Sequence, residues 1–270
     1  MINNTAVFIL LHQRATKITT DMVLRKCGYT GKIYILIDDT DTQLNEYKEI
    51  FGEDCIVFSK IEQLKTTDSC DNFGNLKTPL YARNYCFELA KQLNLDYFIM
   101  ADDDITDLKY AYVNNKGDFI RSKIINIDMV INALTDFINI DNRIACCGFL
   151  NSGGYFGGKN GKYREGLGRN TQQIMLFKTE STTRFLSTKN EDLNISIINF
   201  DKLFFEVFDL CVASPQRMTN EGGISYSSMY ENNMYSLMLM PSAIKIVSNG
   251  NMHKSNNNIY PKILSGRYKK

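Results

Sequence analysis

Short apolar runs of strand length alternate with stretches of helical spacing through the first part of this chain, and few folds accept that alternation. Val7-Phe-Ile-Leu-Leu11, Ile33-Tyr-Ile-Leu-Ile37, Cys55-Ile-Val-Phe58 and Tyr97-Phe-Ile-Met-Ala101 are continuous apolar runs, the pattern of strands covered on both faces. Between them, residues 19–26 predict a helix closed by Gly28, and residues 42–51 a second that ends at Gly52. Glycine enters the left-handed conformation of a helix end without steric cost. Thr78 as cap and Pro79 at the first helical position open a third helix, with Cys86, Leu89, Ala90 and Leu93 on its inner face. This repetition predicts a parallel sheet with right-handed crossovers.

The later part reads as mixed. A strand is expected over residues 110–113 and a helix over 127–140, with Val130, Ala133, Leu134, Phe137 and Ile138 as its stripe. Further strands are expected over 144–150, 173–178 and 205–213, with helices from about Lys189 and over 229–240. The glycine-rich stretch 153–168, with Lys159, Lys162, Arg164 and Arg169, reads as a ligand-facing loop. The tail from His253 to Lys270 is polar and basic, but Ile259, Tyr260, Ile263 and Leu264 predict that it packs back on the body. With neither repeat nor linker, the expectation is one α/β domain over residues 1–270.

Composition sets limits. An apolar fraction of 44% with 23% charged residues is that of a globular chain with a sizeable core. A net charge of +1 gives no general attraction to nucleic acid or membrane, so any polyanion must be met by local basic clusters. Cys27, Cys55, Cys70, Cys86, Cys146, Cys147 and Cys211 form no Cys-x-x-Cys pair, and most sit in apolar patterns, as reduced buried thiols do. The run from Ala6 to Leu11 is too short for a signal peptide, and no stretch has the length of a membrane span. A cytoplasmic location is expected. With His12 and His253 the only histidines, a His-rich zinc site is excluded and a Ser-His-Asp triad is poorly supported.

The strand at 97–101 runs directly into Asp102-Asp103-Asp104, and open α/β sheets bind ligands at the carboxyl ends of their strands. Adjacent carboxylates repel, and each raises its neighbour's pKa. A divalent cation relieves this by taking two carboxylates as oxygen ligands, with positions left for water and substrate phosphates. Asp102 and Asp104 point the same way in extended geometry and Asp103 points across. Asp102 and Asp104 are therefore the candidate ligands of Mn²⁺ or Mg²⁺, and Asp103 a candidate for a ribose or a supporting contact. The other reading of this run is a solvated acidic turn.

An apolar strand into Asp-x-Asp, preceded by a helix with Ala82-Arg83-Asn84 and followed by Asn190-Glu191-Asp192 and His253, resembles GT-A glycosyltransferases. More narrowly, Arg14-Ala-Thr-Lys-Ile-Thr19 and Tyr260-Pro-Lys-Ile263 resemble phage glycosyltransferases of hydroxymethylated DNA bases, relatives of the TET-associated glycosyltransferases. The resemblance implies a GT-A-like, mostly parallel sheet flanked by helices, with a smaller mixed β part in the C-terminal half. It implies a nucleotide-sugar-binding half over 1–108 and an acceptor-binding half over 109–270. Arg14, Lys17 and Arg83 become candidates for the donor diphosphate, and Asp38 and Asp39 for its base or ribose. His253 resembles a third metal ligand, and an imidazole suits Mn²⁺ better than Mg²⁺.

Thr188-x-x-Glu191 fits a capping box, which leaves Asp192 freer for the role that the resemblance implies, the acceptor's general base of an inverting enzyme; the other reading is an acid favoured by a helix N-terminus whatever the function. Tyr155, Phe156 and Tyr163, with Lys159, Lys162, Arg164 and Arg169, are the candidate acceptor contacts. A DNA acceptor and, for a phage protein, the host cytoplasm follow from the narrower likeness; sugar, nucleotide and oligomeric state do not. His12 follows a strand and fits either a donor contact or a simple loop role. Two rivals share the acids. A haloacid dehalogenase-type phosphatase would use Asp102 as nucleophile, but its motif follows the first strand, and a late Asp-Asp pair is missing. The other rival is a sugar- or nucleic-acid-binding protein of the same shape without turnover.

Overall fold

The computed structural model describes residues 3–71, 73–151, 167–168, 171–214, 234–248 and 259–263. β1 (Thr5–Leu11), α1 (Thr20–Lys26), β2 (Lys32–Asp38), α2 (Leu44–Phe51), β3 (Cys55–Phe58), α3 (Lys60–Thr66), α4 (Leu80–Gln92) and β4 (Tyr97–Asp102) make up the first part. β5 (Asp107–Val113), β6 (Phe119–Lys123), α5 (Ile127–Ile138), β7 (Ile144–Asn151), β8 (Leu167–Gly168), β9 (Ile174–Lys178), α6 (Glu191–Ile198) and β10 (Leu203–Ala213) follow. β11 (Ile244–Ser248) and β12 (Ile259–Ile263) pair as a separate antiparallel ribbon.

The large sheet has the order β3-β2-β1-β4-β9-β7-β10-β5-β6, with β8 beside β10. β3, β2, β1 and β4 run parallel, as the alternation predicts. β9 lies antiparallel between β4 and β7, β7 and β10 are parallel, and β10, β5 and β6 are antiparallel neighbours. This is the α/β, GT-A-like arrangement that the resemblance implies, with the mixed strands in the later part. From β1 the chain crosses to β2 on one side and reaches β4 on the other, so a topological switch point opens between β1 and β4. Asp102 pairs with Leu10 at that edge.

Both faces of the sheet are packed, which explains the unbroken apolar runs. Val7, Ile9, Ile35, Ile37, Ile99 and Ala101 lie with Leu24, Tyr47, Val130 and Leu134 from α1, α2 and α5. Ala6, Phe8, Leu36, Phe98 and Met100 lie on the opposite face with Leu80, Cys86, Phe87 and Ala90 from α4. Phe98 is stacked 5.7 Å from both Phe8 and Phe177 and meets Phe87 edge-on at 5.0 Å. Such ring geometries add to the stabilisation from burial alone. They hold β4, and with it the acids, against β1, β9 and α4.

Several boundaries differ from expectation. α2 begins at Leu44 because Asp41 Oδ1 accepts from the N–H of Gln43 at 2.8 Å and holds the chain in a turn there. α5 ends at Ile138; Asn126 caps its start by accepting from Met129 N–H, and Asn139 turns away to donate to the Tyr97 hydroxyl at 2.5 Å. The tail strand β12 pairs with β11, and the expected helix over 229–240 is described over 234–239. α3 and β6 carry no clear apolar period: α3 turns mostly polar side chains outward, and β6 is an exposed edge strand. All seven cysteines are free, and Cys27, Cys86, Cys146, Cys147 and Cys211 are buried. Among the described residues, no helix is long and apolar enough to cross a membrane.

Candidate active site

The acids at the end of β4 are held by α1. Thr20 Oγ1 donates to the Asp102 carbonyl at 2.6 Å and accepts from Ile105 N–H at 3.0 Å. Thr19 Oγ1 donates to the Ile105 carbonyl at 2.7 Å, and its N–H donates to the Asp103 carbonyl at 3.1 Å. The two threonines look in sequence like ordinary helix-start residues; here their hydroxyls serve the neighbouring loop, and neither caps its own helix. The backbone of residues 102–105 is thereby fixed without any help from the carboxylates.

The three side chains diverge. Asp103 is buried and takes both of its oxygens to Arg14 Nη1, each at 3.0 Å. Arg14, a diphosphate contact in the resemblance, and Asp103, expected at a ribose or in a supporting contact, are thus each other's partner. Loop 12–15 is tied down in turn: Arg14 N–H donates to the Tyr47 hydroxyl and Ala15 N–H to Gln43 Oε1. Lys17 is exposed on the same loop. Asp102 and Asp104 are half-buried, and among the described residues no N–H or O–H donates a hydrogen bond to either carboxylate. The Asp102 carboxylate, with 36% of its side chain exposed, lies 3.8 Å from Arg83 Nη2. Burial pushes its pKa up to about 7, Arg83 opposes the shift, and Asp104, Asp103 and Asp192 add to it.

Two carboxylates two residues apart, neither accepting a hydrogen bond from a described residue, are a fitting donor set for a hard divalent cation. His253, the third ligand in the resemblance, lies outside the described residues, as do Tyr155, Phe156, Lys159, Lys162, Tyr163, Arg164 and Arg169.

Arg83 lies beside Asp102, and the charge of Asp192 is felt there as well. Arg83 belongs to α4 and is almost wholly buried, with its guanidinium 5.4 Å above the Phe185 ring. Its Nη1 lies 3.5 Å from Glu191 Oε1. Glu191 is buried at the first position of α6, and burial pushes its pKa up to about 7 against the opposing charge of Arg83. The capping box expected for Thr188 and Glu191 is not formed. Asn190, in left-handed conformation, precedes the helix, and the Thr188 hydroxyl donates to Asp71 at 2.7 Å instead. The freed Glu191 turns inward to Arg83. Asn84, beside Arg83, clasps Phe185 through two 2.9 Å bonds, to its carbonyl and from its N–H, and so ties α4 to the segment that leads into α6. Asp192 is half-buried, and its Oδ1 accepts from Leu193 N–H at 2.8 Å.

A second polar cluster stands at the ends of β1 and β2. Asp38 Oδ2 lies 2.9 Å from His12 Nδ1 and 2.9 Å from Lys60 Nζ, and Asp38 Oδ1 accepts from Thr40. His12, Asp38 and Asp41 bring three potential ligand atoms within 4.8 Å of one another. The Asp38 carboxylate of this group already meets a cation, the buried Lys60 ammonium. Asp41 spends its oxygens on the N–H groups of Gln13 and Gln43. Asp39, exposed in the turn just after β2, accepts from Lys60 N–H at 3.2 Å. Lys60 was not legible as a site residue, since nothing in Ser59-Lys60-Ile61 marks it as buried.

Burial works against the charge on Asp38, yet hydrogen bonds from His12, Thr40 and Lys60 hold its carboxyl well below the usual carboxylate range. A depressed folded-state pKa contributes stability above the unfolded value of about 4 and loses it as pH falls through the folded value. Asp38→Asn leaves Lys60 buried and unpaired, so a loss of about 3 kcal/mol is expected at pH 7. In urea unfolding the gap between wild type and variant should narrow on acidification to about pH 3; a constant gap would show that the ion pair does not stabilise the fold.

No curated protein sequence matches this chain. Among solved structures, glucosyl-3-phosphoglycerate synthase from Mycobacterium tuberculosis in complex with Mn²⁺, UDP and phosphoglyceric acid aligns at 10% identity. That alignment covers 97% of this chain and 87% of the other, with a TM-score of 0.48. The same synthase with Mn²⁺, UDP-glucose and phosphoglyceric acid aligns at 12% identity over 98% and 88%, with a TM-score of 0.47. CMP:2-keto-3-deoxy-manno-octonic acid synthetase complexed with CTP aligns at 9% identity over 88% and 99%, with a TM-score of 0.36. The model of one protein family, described as TET-Associated Glycosyltransferase, matches residues 5–223 of the 270. The chain therefore belongs to the TET-associated glycosyltransferase family.

Proposed function

We propose that this glycosyltransferase holds a nucleotide-sugar at the ends of β1, β2 and β4 and passes the sugar, with inversion, to a hydroxyl acceptor on hydroxymethylated DNA. The observation that carries the donor reading is the convergence of Asp102, Asp104 and Asp192 with the buried Arg83 at the topological switch point. Asp102 and Asp104, with His253 as a further candidate, would hold Mn²⁺ or Mg²⁺. A bound divalent cation offsets the charge that grows on a departing diphosphate. Arg83 adds a fixed positive charge from within the protein, which needs no rearrangement as the leaving group forms.

Asp192 takes the proton of the acceptor hydroxyl as that oxygen attacks the anomeric carbon. The bond from that carbon to the diphosphate oxygen breaks on the opposite side, and the electron pair leaves with the diphosphate. Arg14, Lys17, Asp38 and Asp39 line the ends of β1 and β2 and belong to the donor side, within residues 1–108. Arg14 meets Asp103 through Nη1 alone in these contacts; were that pair exchanged for the diphosphate, Asp103 would turn to a ribose hydroxyl.

The acceptor assignment rests on the family likeness and on the basic and aromatic residues Tyr155, Phe156, Lys159, Lys162, Tyr163, Arg164 and Arg169. A hydroxymethyl group in duplex DNA is reached by turning the base out of the stack, and phosphate contacts by these cations would make binding fall steeply with salt. The test is mass spectrometry of nucleosides from hydroxymethylated DNA after incubation with enzyme, Mn²⁺ and a panel of nucleotide-sugars. A nucleoside heavier by one sugar residue is expected with at least one donor. Unchanged nucleosides with every donor, alongside diphosphate release, would remove DNA as acceptor and leave the donor chemistry standing.

A further inference from the structure

Arg83 stands between two carboxylates and closes on neither. Nη2 is 3.8 Å from Asp102 and Nη1 is 3.5 Å from Glu191, while the side chain is only 7% exposed. Nε and Nη1 are buried and make no hydrogen bond in the structure. Unspent donors in a protein interior are costly, and nothing in the local sequence forces them. A guanidinium one ångström closer to Asp102 would form a short charge-assisted pair and would consume the carboxylate a cation needs. The opposing pull comes from Glu191. Its backbone position is set independently, by the left-handed Asn190, by the bonds of Ser187 and Thr188 to the carbonyls of Asp68 and Ser69, and by the clasp of Asn84 on Phe185.

We propose that Glu191 is a positioning residue: it holds Arg83 away from Asp102, so that Nη2 of the guanidinium is kept for the donor's phosphate oxygens and Asp102 keeps its carboxylate for the cation. The proposal rests on the donor reading of Arg83 and Asp102. Glu191 touches neither donor nor acceptor in it. Asp102 and Glu191 compete for one cation from opposite sides, and the balance between them leaves Arg83 available. It also couples the first turn of α6, where Asp192 sits, to the donor-binding edge of β4.

Calorimetric titration of the wild type with UDP, GDP, CDP and ADP in the presence of Mn²⁺ identifies the diphosphate that binds. The same titration follows on Glu191→Gln and Arg83→Lys, with melting temperatures as a check on folding. Glu191→Gln keeps the side chain's shape and removes its charge. It should bind the diphosphate about tenfold more weakly, need more Mn²⁺ for half-saturation, and melt near the wild-type temperature. Wild-type affinity and wild-type Mn²⁺ requirement in Glu191→Gln, with weak binding by Arg83→Lys, would overturn the positioning role alone. Wild-type affinity in both variants, or no binding of any of these diphosphates by the wild type, would overturn the donor reading beneath it. Should Glu191→Gln fail to fold, Glu191→Asp replaces it. Its carboxylate is drawn back by one methylene, an intermediate loss of affinity is expected, and wild-type affinity would refute the role.

Discussion

Replacing Asp104 by alanine is expected to lower release of nucleoside diphosphate from the donor by about a thousandfold or more and to remove the metal dependence of donor binding. Asp104 is half-buried, accepts no hydrogen bond from a described residue, and its charge is felt by both Asp102 and Asp103. The loop backbone is held by Thr19 and Thr20, so truncating this side chain leaves the fold intact. Loss of function would then report on the carboxylate itself. Asp103→Ala is a useful contrast: it removes the carboxylate that Arg14 Nη1 meets and disturbs the loop at residues 12–15, and its melting temperature should fall where that of Asp104→Ala does not. The measurements are diphosphate release and donor titration with and without Mn²⁺. Full, metal-dependent turnover by Asp104→Ala would end the assignment of the cation to these two acids.

Asp192→Asn should separate transfer from binding. The asparagine Oδ1 can still accept from Leu193 N–H, so the first turn of α6 keeps its local bond. Only the capacity to take a proton is lost, and general bases contribute about 10²–10⁴-fold to such reactions. Sugar transfer should therefore fall by about that factor while donor affinity stays at the wild-type value. If donor affinity drops as far in Asp192→Asn as in Asp104→Ala, the two acids do not divide the work between donor and acceptor. Glu191 would then be the next side chain to test for the proton transfer, since it lies in the same turn and faces the same guanidinium.

The parts of the fold that could be read beforehand are those that depend on near neighbours in the chain. β1, β2, β3 and β4 announce themselves as apolar runs because each is covered on both faces. α1 and α2 stop at Gly28 and Gly52, whose φ values of +84° and +54° lie in the left-handed region. β6 was invisible because an edge strand with exposed alternate positions carries little hydrophobic signal. The antiparallel insertion of β9 between β4 and β7 was equally hidden, because register and neighbour order are long-range properties that no local period encodes.

The site divides along the same line. That Asp102 and Asp104 end a strand, with an arginine-bearing helix before them and an acidic pair later in the chain, follows from the order of residues alone. Local pattern misassigned Glu191, however. Spacing made it a helix cap, whereas the left-handed turn at Asn190 sends it into the interior to meet Arg83 from another helix. The pairing of Arg14 with Asp103 and of Lys60 with Asp38 likewise joins segments far apart in the chain. The chain's own pattern of polarity determined which segments become strands and helices, and hence which acids stand at a strand end. Which charges face one another was decided only by packing, since the energy of an ion pair depends on distance and burial in space and not on separation along the backbone.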